Sequence, residues 1–224
     1  EIGVRLVGSE MCIRDRYGCG RELPLGIETG GRDVRVYAEI TIGVAQALAC
    51  RRDDETLQTE YSQQLDEYLS QVSGDRTIVD SGAVIRDSDR VVDSYVGTGA
   101  IVSGARLVAG SCLLSNPEEP AVVSGGAWVK NSILQWAAEV ESLGLVDSSV
   151  LCEHSHVERH GTLTESILGP NSGVGEGEVT ASLVGPFVGF HHQSLLIAAV
   201  WPEGKGNVGY GATVGSNHLS LIHI

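Results

Sequence analysis

Positive charge is scarce in this chain: 15 lysines and arginines stand against 29 acidic residues, for a formal net charge of −14. Binding nucleic acid or an anionic membrane surface takes concentrated cations, so neither partner is expected. Aromatic residues make up only 5 %. No run of about 18 apolar residues is present, so no membrane span is expected. The first residues also lack the positive, apolar, small-residue order of a signal peptide. Five cysteines show no CxxC pair and no regular spacing. They read as reduced thiols of a cytoplasmic protein, not as a disulfide framework. What the chain does have is glycine, 29 residues in all, with an ordinary hydrophobic fraction of 42 %. Many small residues and few rings suit a regular, tightly stacked β architecture.

Both ends look foreign to the rest. "EIGVRLVGSEMCIRDR" (1–16) and "LSLIHI" (219–224) resemble translated sequencing-adapter read-through, and both are expected to be non-native. The first segment carries three arginines and three acidic residues, so the net charge belongs to the remainder.

Six segments repeat: "VVDSYV" (91–96), "VAGSCL" (108–113), "VKNSIL" (129–134), "VDSSVL" (146–151), "LTESIL" (163–168) and "VTASLV" (179–184). Each begins and ends on an aliphatic residue and has serine fourth. Their starts lie 17, 21, 17, 17 and 16 residues apart, and the long gap holds the turn-forming "NPEEP" (116–120). Between the segments the aliphatics recur in sixes, as in Leu151, Val157 and Leu163.

A coil of about 17 residues with three inward anchors makes a triangular prism, each anchor stacked about 4.8 Å from its equivalent in the next coil. The columns run Val91, Val108, Val129, Val146, Leu163, Val179; Val96, Leu113, Leu134, Leu151, Leu168, Val184; and Val102, Val123, Val140, Val157, Val174, Phe190. "LIAAVW" (196–201) continues them with Ala199 in the serine place. The serines read as structural, small hydroxyls bonding nearby backbone at a corner.

Before the repeat, "VYAEITIGVAQALACRRDDETLQTEYSQQLDEYLSQV" (36–72) has helical stripes at Ile40, Val44, Leu48 and at Tyr61, Leu65, Tyr68, Leu69. The pattern predicts helices over 36–50 and 55–72, with Asp54 as a cap. "LPLGIETGGRDV" (23–34) reads as strand and turn, bent at Gly30-Gly31. The expected organisation is therefore a strand, turn and helical pair over 17–75 packed on the β-helix, the β-helix itself over 76–201, and a glycine-rich loop over 202–218.

The hexads resemble the left-handed parallel β-helix of the hexapeptide-repeat superfamily. That resemblance, not the periodicity, implies the left hand, because the usual crossover is right-handed. Its best-known members are trimeric acyltransferases acting on sugars and small amines, and similar β-helices end some sugar-nucleotidyltransferases. A closer resemblance rests on "ETGGR" (28–32), "GPF" (185–187) with "HHQSLLIA" (191–198) and "GSNH" (215–218). This combination is similar to an uncharacterised bacterial family catalogued as a domain of unknown function within the left-handed β-helix group. The resemblance implies a mainly β fold and a homotrimer.

Stacking places the adjacent His191 and His192 directly after the Phe190 anchor. One coil earlier the equivalents are Gly175 and Glu176, and two coils earlier Glu158 and Arg159. His192 is expected beside Glu176, with Arg159 two strand spacings away and free space under His191. A carboxylate can hold an imidazole in one tautomer and fit it for general-base work near neutral pH. In the acyltransferases that the fold resembles, a histidine on the β-helix wall takes the proton of an acceptor hydroxyl or amine.

The catalytic candidates are His191, His192 and Glu176. Arg159, Lys205, Asn207, Asn217 and His218 are candidates for contacting a sugar or sugar nucleotide. Cys152, His154, His156 and His160 invite a metal site, but they fall on different sides of the prism, and no metal is expected. Cations are few on the β-helix, which counts against acyl-coenzyme A as donor. The expected function is a transferase-like protein acting on a sugar or sugar nucleotide by acyl transfer. The alternatives are a non-enzymatic binding scaffold, or the β-helix part of a sugar-nucleotidyltransferase.

Overall fold

The computed structural model describes residues 17–27, 30–72, 74 and 76–215. The fold is mainly β: a three-sided parallel β-solenoid preceded by two helices. Among the described residues its three walls are parallel sheets of eight strands each. The backbone register reproduces the three sequence columns. Val91 pairs with Val108 and Val108 with Val129 on one wall, Val96 with Leu113 and Leu113 with Leu134 on another. On the third wall Val140 pairs with Val157, Val157 with Val174, and Val174 with Phe190. From Val96 to Val184 these anchors are fully buried and form one continuous apolar column. Parallel stacking of like on like is what the repeat encodes: each aliphatic residue meets an aliphatic residue in the next coil.

The serines knit the coils at one corner. Each hydroxyl donates to the carbonyl two residues back, as Ser132 does to Lys130 at 2.6 Å and Ser149 to Asp147 at 2.7 Å. Each also accepts the next serine's N–H: Ser149 N–H reaches Ser132 Oγ and Ser166 N–H reaches Ser149 Oγ, both at 3.1 Å. The preceding residue takes a left-handed conformation, as at Asp93, Asn131, Ser148, Glu165 and Ala181. Ala199 receives the ladder, its N–H bonding Ser182 Oγ at 3.0 Å, and lacks a hydroxyl to pass it on. Ser149→Ala should orphan the buried Ser166 N–H and cost about 1–3 kcal/mol. Chemical denaturation checks this as a lower midpoint with an unchanged slope.

The solenoid runs further at its C-terminal end than the hexads indicate. Residues 202–218, expected as a glycine-rich loop, contain strands Gly206–Val208 and Thr213–Val214. Val208 pairs with Phe190 and Val214 with Leu196, so both extend anchor columns. Glycine obscures this coil in the sequence because its chain runs too close to the previous one for side chains. A Cβ on Gly204, at φ +61°, would lie 2.2 Å from the Pro186 carbonyl oxygen.

One wall is covered. Its outward row, Cys112, Ile133, Val150, Ile167 and Leu183, is apolar and buried beneath the N-terminal residues. These form an antiparallel pair, β1 (Glu22–Pro24) and β2 (Asp33–Arg35), and two helices, α1 (Ile42–Cys50) and α2 (Glu55–Val72). Gly30 and Gly31 supply the bend at positive φ, and Asp54 Oδ1 caps α2 by accepting the Leu57 N–H at 3.0 Å.

α1 begins at Ile42, not at residue 36. Thr41 caps it, and the six residues before Ile42 alternate instead, with Val36, Ala38 and Ile40 buried. Gln135 fastens this extended stretch to the solenoid, its amide donating to the carbonyls of Ala38 and Ile40 at 3.0 Å each.

Burial pushes the Cys19 thiol up from its ordinary value of 9.0 to about 12, and raises those of Cys112 and Cys152 as well. An acid raised on folding stabilises fully below its unfolded pKa and loses that contribution as pH rises through the folded value. The N-terminal unit should therefore lose stability between about pH 9 and 12. Urea midpoints at pH 8 and pH 10.5 check this.

Candidate functional site

His191 and His192 fall where stacking places them. Gly175 pairs with His191, and His192 and Glu176 occupy equivalent corner positions at φ +56° and +58°. His192 Nδ1 lies 3.2 Å from Glu176 Oε2, in a pair open to solvent on both sides. In the tautomer that donates Nδ1–H to this carboxylate, Nε2 is the nitrogen with the free lone pair. The His191 ring stands 6.0 Å from that of His192, tilted by 47°.

Three glycines explain how the neighbouring side chains lie. The wall carrying the third anchor column presents outward positions on either side of each anchor. In strand Gly173–Gly175 both outward positions are glycine, and in Val188–His191 one of them is Gly189. The surrounding side chains fold down onto these bare stretches. A Cβ on Gly189 would lie 2.7 Å from His191 Nε2 and 3.1 Å from Asn207 Oδ1. A Cβ on Gly175 would lie 2.9 Å from Arg159 Nη2, and one on Gly173 only 2.2 Å from His156 Nε2. The space expected under His191 is thus taken by the Arg159 guanidinium. Arg159 turns to Glu158, at 2.5 Å, instead of standing free toward His192.

The structure therefore brings together His191, Asn207 and Arg159 beside the His192–Glu176 pair. Lys205 does not join them. It sits exposed at the opposite corner of the same wall, its N–H bonded to the Pro186 carbonyl. Asn217 and His218 lie outside the described residues. His156 and Glu158 belong to the cluster and were missed as members of it. The signal was "GVG" (173–175), a strand with no outward side chain, next to a strand that carries histidine and glutamate outward. The cysteine–histidine group does not converge: His154 pairs with Glu119 at 3.3 Å, His156 lies on Gly173, and Cys152 is buried beneath the N-terminal unit.

Comparison with known proteins adds kinship without chemistry. The chain is 26 % identical over 191 residues to an uncharacterized protein of Treponema pallidum (strain Nichols). The match takes in 85 % of this chain but spans only 26 % of that relative's length. No solved structure matches. A family model matches residues 9–223, which takes in parts of both end segments set aside above. By that match the chain belongs to the family described as domain of unknown function (DUF4954).

Proposed function

We propose that the His192 corner is a transferase site for a sugar or a small amine, with His192 as general base. The observation that carries this reading is the 3.2 Å contact of His192 Nδ1 with Glu176 Oε2. With Nδ1 held by the carboxylate, Nε2 takes the proton from an acceptor hydroxyl or amine as the acceptor attacks an activated acyl carbon. The bond between the acyl carbon and its leaving group then breaks, and the leaving group keeps the electron pair and takes the proton from the imidazolium. His191 and Asn207, both lying over Gly189, supply hydrogen bonds to neighbouring hydroxyls of the same acceptor. The residues here fit the acceptor better than the phosphates of a coenzyme A or nucleotide donor. Arg159 is committed to Glu158, and Lys205 stands at the far corner.

A homotrimer belongs to the same proposal. Among the described residues nothing covers the other two walls of the prism, and Leu143 and Leu145 are exposed where they meet.

A second reading, a binding scaffold without turnover, draws on the high exposure of His192 and Glu176. The two separate in one experiment: a panel of amino-sugar acceptors with thioester donors, followed for acylated product. Turnover supports the transferase. Acceptor binding without turnover, unchanged in His192→Gln, supports the scaffold.

A further inference from the structure

The covered wall holds a cleft of about 340 Å³ where α2 ends against the first coils of the solenoid. It exists because the outward row changes size there. Ile133, Val150, Ile167 and Leu183 are fully buried in the junction, whereas the equivalent position one coil earlier is the smaller Cys112. Facing it across the gap is a second small side chain, Cys19.

Two of the rings around the cleft are held in place by their hydroxyls. Tyr17 is tethered by its hydroxyl to the Arg76 carbonyl at 2.7 Å, and Tyr95 to Asp80 Oδ2 at 2.6 Å. Among the described residues none that lines the cleft is charged, and the Gln71 amide adds one polar group. Burial keeps the Cys19 and Cys112 thiols protonated, so they count as apolar wall. Ile78 is left 42 % exposed beside it. An unfilled apolar space forfeits the dispersion contacts of its lining, and a guest of matching shape restores them.

We infer that this cleft is a binding site for a small uncharged molecule of one or two flat rings. Its volume is in the range of small-molecule pockets, and its lining is apolar with few polar groups. The site lies on the wall away from His192 and is independent of any transferase chemistry there.

The test uses the full chain with indole as the probe and benzoate, of similar size but charged, as its counterpart. Calorimetry should show saturable indole binding, and indole at roughly 100 times its Kd should raise the folding equilibrium constant about 100-fold, seen as a higher Tm. Cys112→Ile, which restores the side chain of the next coil's Ile133, should keep or raise the Tm and abolish the indole shift. Ile78→Trp enlarges an exposed residue at the mouth, so it should leave the fold intact and weaken indole binding at least tenfold. An absent indole shift in the unaltered chain overturns the proposal. So does an equal shift in both variants, or benzoate binding as tight as indole.

Discussion

Val157→Asp should abolish cooperative folding of the solenoid. Val157 is fully buried, and its backbone pairs with Val140 on one side and Val174 on the other. The side chain points into a column that, among the described residues, is walled by apolar side chains of three sheets. Burying an unpaired charge there costs several kcal/mol even after the group shifts toward its neutral form. Losing the isopropyl group adds to that. A domain of this size has only about 5–15 kcal/mol in total. Far-ultraviolet circular dichroism and a thermal melt should show loss of the sheet signal and of the transition. The control is the same change at the end coil. Val214 is 45 % exposed, so Val214→Asp leaves its charge in water and should cost no more than about 1–2 kcal/mol. A folded, cooperative Val157→Asp protein would mean that the anchor register is wrong.

The register was legible because the solenoid repeats one packing problem in every coil. An aliphatic residue at a given column position must meet its equivalent about 4.8 Å away, so spacing in the chain becomes spacing in space. The serine ladder was legible for the same reason, and its role follows from small size plus a hydroxyl at a tight corner. The adjacency of His192 and Glu176 is register alone, fixed once Phe190 and Val174 are paired.

Features set by chain path and rotamer choice were harder to read. Arg159 stacks at the expected level, but its guanidinium runs to Glu158 across Gly175, and no spacing rule dictates that. The start of α1 was misplaced because Ile40, Val44 and Leu48 fit a helical stripe. Val36, Ala38 and Ile40 also fit a strand-like alternation, and the Gln135 amide decides in favour of extended backbone. Which wall the helices cover was encoded but not used. The position before each second-column anchor is apolar in every coil from Tyr95 to Val200, whereas the corresponding row on the histidine wall turns to Glu139, His156 and Gly173.

His192→Ala should separate chemistry from folding at the proposed site. The His192 side chain is 62 % exposed, and its one side-chain hydrogen-bond partner described here is Glu176, itself 46 % exposed. Exposed pairs of this kind contribute little to stability, so the Tm should move by no more than about 2 °C. Removing a general base, by contrast, should lower turnover about 10²–10⁴-fold. Acceptor affinity should change little, because the proton transfer is made only in the transition state. Glu176→Gln grades the mechanism. Its amide oxygen can still accept the Nδ1 proton, so the tautomer is retained while the charge that stabilises the imidazolium is lost. The loss of turnover should then fall between that of His192→Ala and no effect, with an altered pH–rate profile. His191→Ala should instead raise the KM for the acceptor more than it lowers kcat, because its ring lies over Gly189 with Asn207 and not against Glu176. Full turnover in His192→Ala would remove this residue as the base. A kcat loss in His191→Ala alone would move the role one residue back, from the corner to the last residue of strand Val188–His191.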